Sequence, residues 1–200
     1  VDRNTVQFNP QGVAITLLAV NQMGVKWAHI DKNLQDKLLS SVDRNAVQFY
    51  PQDVANTLLA VNQMGVKWAD IDQHLQDKLL SSVDRNAVQF NPQGIANTLL
   101  AVNQMGVKWA DIDQNLKYKL LSSVDRNTVQ FNPQEIANTL LAVNQMGVKW
   151  VDIDKNLQDK LLSSVDRNAV HFNPQGIANT LLAVNQMAVK WVGIDKNLQD

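Results

Sequence analysis

The sequence predicts an all-α fold, a right-handed α-solenoid built from five helical hairpins with a period of 41 residues. The segment Phe-x-Pro-Gln recurs at this period, at Phe8, Phe49, Phe90, Phe131 and Phe172. Each copy opens a stretch whose apolar residues follow helical spacing, and no useful length of chain alternates apolar and polar residues as strands do. A fixed period of about 20–50 residues is typical of solenoids and propellers, and the helical spacing favours the solenoid.

Counted from Val1, the predicted units are residues 1–41, 42–82, 83–123, 124–164 and 165–200, which form one domain with a truncated last unit. The opening residues Val1-Asp2-Arg3-Asn4 recur later as the tail of a unit, and no Met precedes them. We therefore expect a fragment of a longer array. Neither helix of a unit can bury its apolar surface alone, so neighbouring units must stack into a continuous core.

The third unit shows how the first helix of each hairpin begins and ends. Asn91 is a suitable N-cap, and Pro92 occupies the first helical position, where its missing N–H costs nothing. Phe90 and Ile95 occupy the two positions of a hydrophobic staple, and Gly106 is placed to end the helix in a left-handed cap. First helices are therefore predicted to begin near Pro10, Pro51, Pro92, Pro133 and Pro174.

The second helix of the same unit is expected to start at Asp111 or Asp113 and to end between Asp125 and Asn127. Asp111, with Gln114 three residues later, has the spacing of a capping-box variant. One face carries apolar residues four apart, at Ile112, Leu116, Leu120 and Val124. Each unit is therefore predicted to contain two antiparallel helices.

A helical wheel divides the first helix into two sides, with positions counted from the start of each unit. In the second unit, positions 13, 14, 17, 18 and 20 fall on the buried side, as Val54, Ala55, Leu58, Leu59 and Val61. Positions 11, 12, 15, 19 and 22 fall on the opposite side, as Gln52, Asp53, Asn56, Ala60 and Gln63. This amide-rich side is either an ordinary solvated surface or a binding face, because Asn and Gln donate and accept together. Position 21 is interpreted as a buried hydrogen-bonding ladder between units, formed by Asn21, Asn62, Asn103, Asn144 and Asn185.

Composition and charge exclude several functions. Hydrophobic residues make up 45% and charged residues 18% of the chain, and the net charge is −1. No apolar run approaches the ~20 residues of a membrane span, no signal peptide is visible, and the absence of cysteine favours an intracellular setting. His29, His74 and His171 occupy three different positions of the unit, so they cannot form a repeated metal site. We expect no enzyme activity, cofactor, metal or membrane partner.

Positions 12, 15 and 22 of the first helix supply the candidate ligand-reading residues. Position 12 varies most in chemistry, which fits either a selectivity position or an acid that supports the helix start. Asp53 follows Tyr50, which replaces the capping Asn, so this acid is expected to compensate for the lost cap. The first unit carries Ile15 instead of Asn and should contribute little specificity. The candidates are Gly12, Asp53, Asn56, Gln63, Gly94, Asn97, Gln104, Glu135, Asn138, Gln145, Gly176, Asn179 and Gln186.

Two rows of basic residues are candidates for phosphate contacts, at one contact per unit. The arginine row consists of Arg3, Arg44, Arg85, Arg126 and Arg167, and the lysine row of Lys26, Lys67, Lys108, Lys149 and Lys190. All members except Arg3 and Lys26 are phosphate-contact candidates. Each Arg follows an Asp, so local charge pairing explains the arginine row equally well. A tryptophan in each unit is interpreted as packing between the helices, with base stacking as the alternative, at Trp27, Trp68, Trp109, Trp150 and Trp191.

The stretch from Phe131 to Gly147, with its core Gln-x-Ile-Ala-Asn-Thr-Leu, resembles the octotricopeptide repeat. The resemblance spans all five units and is strongest over the first helix. It implies an α-solenoid similar in logic to tetratricopeptide and pentatricopeptide arrays. It also implies single-stranded RNA as the partner, and an organelle or, for a bacterial effector, a host cell as the location.

The leading hypothesis is a modular single-stranded RNA-binding solenoid that reads about one nucleotide per unit through positions 12 and 15, with help from position 22. The alternative is a protein-interaction scaffold whose groove binds an extended peptide or a helix. A third hypothesis is repeat-code binding of duplex DNA, against which the near-zero charge argues. The placement of the basic rows distinguishes them. A positive strip beside the amides favours nucleic acid, and a neutral groove favours protein.

Overall fold

A computed structural model describes residues 8–187 and residue 189 of the chain. Over this range the protein consists of nine α-helices and eight short 3-10 helices, and these residues contain no β-strand. Arg3, Lys190 and Trp191 lie outside the described residues, as does the predicted second helix of the fifth unit. The all-α solenoid predicted from the repeat is confirmed.

Two kinds of α-helix alternate along the chain. The first helices have 13 residues each and are α1 (Pro10–Gln22), α3 (Pro51–Gln63), α5 (Pro92–Gln104), α7 (Pro133–Gln145) and α9 (Pro174–Gln186). The second helices have 14 residues each and are α2 (Lys32–Asn45), α4 (Gln73–Asn86), α6 (Gln114–Asn127) and α8 (Lys155–Asn168). A 3-10 turn that begins at the tryptophan precedes each second helix, and another follows it. All five proline starts are confirmed.

The first helix begins and ends as its sequence predicts. In α5, the Asn91 side chain accepts a hydrogen bond from the Gly94 backbone N–H at 2.7 Å, and Pro92 is the first helical residue. Phe90 and Ile95, the staple pair, are both buried. Gly106 has a φ of +100°, a left-handed conformation that glycine adopts without the steric cost of a Cβ.

The start of the second helix differs from one of the two predicted positions. Asp113 is the N-cap of α6, and its carboxylate accepts from the backbone N–H groups of Asn115 at 2.9 Å and Leu116 at 3.0 Å. Asp111 instead belongs to the preceding 3-10 turn, Trp109–Asp111. The capping box proposed for Asp111 and Gln114 is therefore wrong, because the 3-10 turn separates Asp111 from the helix.

Each hairpin is closed by a buried asparagine at the end of the second helix. The Asn86 amide, at the last residue of α4, donates to the Phe49 carbonyl at 2.9 Å and to the Ser82 carbonyl at 2.8 Å. Because Phe49 lies just before α3, the end of α4 meets the start of α3, and the two helices are antiparallel. The same bonds are made by Asn45, Asn127 and Asn168. Asparagines at this position are therefore buried, whereas the position-21 asparagines that were predicted to be buried are half-buried or exposed.

Successive first helices pack closely side by side, whereas successive second helices make few mutual contacts. The alanine of position 19 lies between the first helices and is fully buried at Ala60, Ala101, Ala142 and Ala183. Its predicted place on the solvent side is wrong, because a first helix has a neighbour on each flank. The first helices therefore form the more closely packed side of the array.

The core is continuous along the array, as the stacking of units requires. Of the predicted buried positions in α3, Val54, Ala55, Leu58 and Val61 are buried, and Leu59 is half-buried. None of the described helices is both long enough and apolar enough to cross a membrane.

Candidate ligand-binding grooves

Two grooves open between the N-terminal halves of neighbouring first helices. Groove A, between α3 and α5, has a volume of about 260 Å³, and groove B, between α7 and α9, has a volume of about 380 Å³. The lining of groove A includes Pro51, Gln52, Asn56, Phe90, Gln93 and Asn97. The lining of groove B includes the equivalent residues Pro133, Gln134, Asn138, Phe172, Gln175 and Asn179. The two grooves are the same structure repeated two units apart.

The first turns of the helices place amides around each groove. Gln52 and Asn56 are four residues apart, so they lie on one face of α3, and Gln93 and Asn97 lie in the same way on α5. Pro51 starts the helix at the groove edge, and apolar walls come from this proline and from the phenylalanine before the next helix. The mixture of apolar walls and a few polar groups is typical of ligand pockets.

The asparagines of position 15 have hydrogen-bonding capacity to spare. These residues, the asparagine row, are Asn56, Asn97, Asn138 and Asn179, and all are half-buried. Within the described part of the chain, the side chains of the first three make no hydrogen bond. The side chain of Asn179 only accepts one, from the Gln175 amide at 2.8 Å. A half-buried amide without a partner gains free energy when a ligand supplies one.

The residue at position 12 differs between the two interfaces that form the grooves and the other two interfaces of first helices. Gly94 lines groove A and Gly176 lines groove B. At the other two interfaces the position holds an acid that bonds back to the start of its own helix. Asp53 accepts from the Tyr50 backbone N–H at 3.0 Å, and Glu135 accepts from the Asn132 backbone N–H at 2.9 Å. Asp53 thus satisfies one of the free N–H groups at the helix start. Glu135 makes the same bond although the Asn132 cap is present, so compensation for the missing Asn cap stays a prediction.

The glutamines of position 22 do not belong to the grooves. Each accepts a hydrogen bond from the position-21 asparagine of the preceding unit. The pairs are Asn21–Gln63 at 2.5 Å, Asn62–Gln104 at 2.6 Å, Asn103–Gln145 at 2.7 Å and Asn144–Gln186 at 2.6 Å. The inter-unit ladder predicted for position 21 exists, but it is largely exposed and its partners are the glutamines assigned to ligand reading. These glutamines lie at the C-terminal ends of the first helices, a helix length from the grooves.

The arginine row is engaged by the backbone of the preceding unit. Arg85 donates to the Ala46 carbonyl at 2.9 Å and to the Ser82 hydroxyl at 3.2 Å. Arg126 and Arg167 make the equivalent pairs of bonds. These three arginines therefore bond to a backbone carbonyl and a serine hydroxyl, and the pairing predicted with the preceding Asp is not made by them. That Asp pairs with a lysine of the next second helix, as in Lys78–Asp43 at 2.9 Å.

The lysine row lies at the opposite end of the first helices from the grooves. Its members follow the glycine that ends each first helix, and Lys26, Lys67, Lys108 and Lys149 are exposed. The Lys26 ammonium donates to the Gln63 carbonyl at 3.3 Å, which places it beside the Asn21–Gln63 pair. The lysine row therefore borders the exposed Asn–Gln ladder but none of its members lines a groove.

The four tryptophans within the described residues pack against the core as predicted, and Trp150 is buried. Their backbone also joins the units, a contact that sequence inspection missed. The Trp27 N–H donates to the Met64 carbonyl at 2.9 Å, and Trp68 and Trp109 bond to the next units in the same way. In the described residues no group of three acidic, His or Cys residues is arranged to hold a metal ion.

The grooves include residues that the sequence analysis left out of the site. Gln52 and Gln93 were placed on the amide face but not among the ligand-reading residues, although their spacing of four from the asparagine row gave a usable signal. Tyr50 lines groove A and is 75% exposed. Ile15 is 52% exposed in place of an asparagine, so the first unit supplies no amide to the row.

Comparison with known proteins places the chain in a family. The model of the family described as "Protein of unknown function (DUF1601)" matches residues 1–17, 23–58, 64–99, 105–140 and 146–181. The four longer segments each contain one second helix and the first part of the next first helix, including positions 12 and 15. No curated protein matches the chain significantly. Because the matched segments cover most of its length, the chain belongs to the DUF1601 family, as an array of five tandem helical repeats.

Proposed function

We propose that this solenoid is a binding scaffold that holds an extended peptide segment of a partner protein across its first helices. The observation that carries the proposal is the asparagine row, whose half-buried amides have spare hydrogen-bonding capacity beside two neutral grooves. A groove of 260–380 Å³ lies near the lower limit of ligand pockets, about 300 Å³, so it suits one side chain of a larger ligand.

The chemistry of the asparagine row fits a peptide backbone. A primary amide carries two donors and an acceptor, so it can bind a backbone C=O and a backbone N–H together. An extended peptide offers both groups along its edge, and none of them is used internally. Asn56, Asn97, Asn138 and Asn179 stand one unit apart, so they would contact the peptide at regular intervals.

The charges around the grooves favour a neutral ligand. No Lys, Arg, Asp or Glu lines groove A, and His171 is the one titratable residue in the lining of groove B. Nucleic-acid affinity depends largely on cations that neutralise phosphates. Arg85, Arg126 and Arg167 are bonded to backbone carbonyls, and the lysine row lies a helix length away. The neutral groove is the arrangement expected of a peptide scaffold.

Single-stranded RNA is a second candidate, and the lysine row favours it. Lys26, Lys67, Lys108 and Lys149 supply one exposed cation per unit along the edge of the first-helix face. A strand bound there would place phosphates on the lysines and bases toward the Asn–Gln ladder or the asparagine row. The resemblance to octotricopeptide repeats supports the same ligand.

Selection from a display library of randomised linear peptides, in parallel with a randomised RNA pool, distinguishes the candidates. We expect the full chain to retain peptides whose affinity changes little between low and physiological salt. In the Asn97→Ala variant, binding of the selected peptides should weaken by about 0.5–1.5 kcal/mol, the net value of a typical hydrogen bond. Asn103→Ala, which removes an amide of the exposed ladder, is the matched control and should bind like the parent chain.

Retention of RNA without peptides would overturn the peptide proposal. In that case Lys108→Ala should lower affinity for all sequences and reduce the salt dependence, whereas Asn97→Ala should relax the preference at one nucleotide by about 1–3 kcal/mol. Selected peptides that bind the Asn97→Ala and Asn103→Ala variants equally would show that the asparagine row is not the contact surface.

A further inference from the structure

Position 12 alternates in kind along the array. It reads Gly12, Asp53, Gly94, Glu135 and Gly176, so glycine and an acid take turns. Four interfaces join the five described first helices. Each interface is compared by the residue at position 12 of the second of its two helices. Groove A and groove B lie at the two interfaces where that residue is glycine. Groove A and groove B therefore lie two units apart, and each has a glycine at position 12 in its lining.

Glycine keeps the groove wall free of a side chain. A Cβ built on Gly94 would lie 3.1 Å from Phe90 Cδ1 and 3.0 Å from Asn91 Oδ1, and all three residues line groove A. A Cβ on Gly176 would lie 2.9 Å from Phe172 Cδ1. A side chain at position 12 would thus crowd the phenylalanine and the capping asparagine that form the wall.

The acid-bearing interfaces show what happens when the side chain is present. Glu135 bonds to the Asn132 backbone N–H, and its own N–H donates to the Asn132 side chain at 2.9 Å. The same bond from Gly94 to Asn91 is 2.7 Å. The Asn cap is therefore kept when the side chain is present, and the carboxylate is held at the helix start.

We propose that position 12 determines specificity, and that the array binds an extended peptide through two anchor side chains, one in each groove. This inference rests on the proposed peptide-binding function. Packed helices lie about 8–10 Å apart, so two interfaces two units apart are separated by about 16–20 Å. An extended or polyproline peptide advances about 3.1–3.4 Å per residue, so the anchors should be about five or six residues apart.

The lining of the grooves identifies the class of anchor. Phe90 and Pro51 offer apolar walls, and the amides of Gln52, Gln93 and Asn97 offer donors and acceptors at the rim. A charged side chain would lose part of its hydration there without a counter-charge. The ring of a tyrosine can pack against the apolar walls while its hydroxyl bonds to the amides at the rim. Tyrosine is therefore the anchor that the grooves favour.

Synthetic peptides of Gly, Ala and Ser that carry two tyrosines test this spacing. We expect peptides with tyrosines about six residues apart to bind about tenfold or more tighter than peptides with a spacing of about three or nine, because linked sites reinforce each other only at a matching length. Peptides with one tyrosine measure the contribution of a single groove.

Variants at position 12 show whether the grooves cause the preference. Gly94→Glu should reduce the affinity of the six-residue spacing to that of the single-tyrosine peptide, and Gly176→Glu should do the same. Gly12→Glu is the matched control, because no first helix precedes α1 in the described chain, and it should leave affinity unchanged. Glu135→Gly should open a groove between α5 and α7 and allow a spacing of about three residues to bind as well.

The stability of the variants gives a second readout. Gly94→Glu should melt near the temperature of the parent chain while it weakens binding, because the lost helical glycine and the added capping box offset the crowding of Phe90 and Asn91. If single-tyrosine peptides bind the parent chain and two-tyrosine peptides bind equally well at every spacing, the two-anchor inference is overturned. The peptide-scaffold proposal would still stand. Failure of every peptide to bind would overturn both. Equal loss of binding in Gly12→Glu and Gly94→Glu would show that position 12 does not act through the grooves.

Discussion

The first helices and the second helices repeat with equal regularity, yet they join neighbouring units in different ways. From the second unit onward, first helices meet through a fully buried alanine, such as Ala101 of α5, whereas Ala19 of α1 is exposed. Second helices are joined by ion pairs such as Lys119–Asp84 at 2.7 Å, whose side chains are 29% and 31% exposed. Apolar packing therefore joins the first helices, whereas ion pairs bridge the more loosely packed second helices.

The two kinds of helix also differ in where their sequences vary. On the first helices, the variable position 12 lines groove A as Gly94 and groove B as Gly176. On the second helices, Tyr118 stands where the other described units carry an acid, and it is 71% exposed. Tyr118 lines a cavity of about 530 Å³ that it shares with residues of the following unit, such as Asp152 and Leu157.

The largest expected change in the free energy of unfolding comes from a substitution that disrupts the packing of the first helices. Leu99→Ala in the central unit should lower the free energy of unfolding by about 2–5 kcal/mol, because it leaves a cavity in the continuous core. Lys119→Met, which removes an ion pair of the second helices, should change it by no more than about 1 kcal/mol. Denaturant unfolding of both variants measures the difference, and similar losses would contradict the contrast between the two sides.

A smaller effect of opposite sign tests the buried polar atoms of the first helices. The hydroxyl of Thr98 is buried without a hydrogen-bond partner, as are the hydroxyls at the same position of α3, α7 and α9. Thr98→Val should therefore stabilise the chain by about 1 kcal/mol, since an unsatisfied buried group is removed. Thermal unfolding of the parent and variant measures the change.

Thr128 provides the matched control on the second-helix side. Its hydroxyl is equally buried but donates to the Val124 carbonyl at 2.6 Å. Thr128→Val should therefore destabilise the chain, because it removes a satisfied hydrogen bond. The same sign of effect in both variants would show that the Thr98 hydroxyl has a partner, such as a buried water.

Much of the fold could be predicted from the sequence because its signals are local. The Asn-Pro start, the glycine end and the apolar spacing of α5 all act within one helix. The start of α6 was ambiguous because Asp111 and Asp113 are both good caps. A contact between units decides it. The Trp109 N–H donates to the Met146 carbonyl at 3.0 Å, and this bond anchors the turn that takes up Asp111.

The site was predicted less completely because it forms between units. Asn97 and Gly94 were identified from one helix, but the groove they line also needs residues of α3 that lie 41 positions earlier. Gln104 was assigned to ligand reading because the helical wheel places it on the amide-rich side of the first helix. Its bond to Asn62 depends on how two neighbouring first helices are aligned along their axes. A helical wheel drawn for one helix gives no information on that alignment.

The side-chain amide resonances of the asparagines test the central claim most directly. In a chain with assigned amide signals, titration with the peptide that carries two tyrosines about six residues apart should shift Asn56, Asn97, Asn138 and Asn179. The amide of Asn103, in the exposed ladder, should stay in place. Shifts confined to Asn103 and its row, with the asparagine row unmoved, would contradict the account and place the ligand beside the lysines.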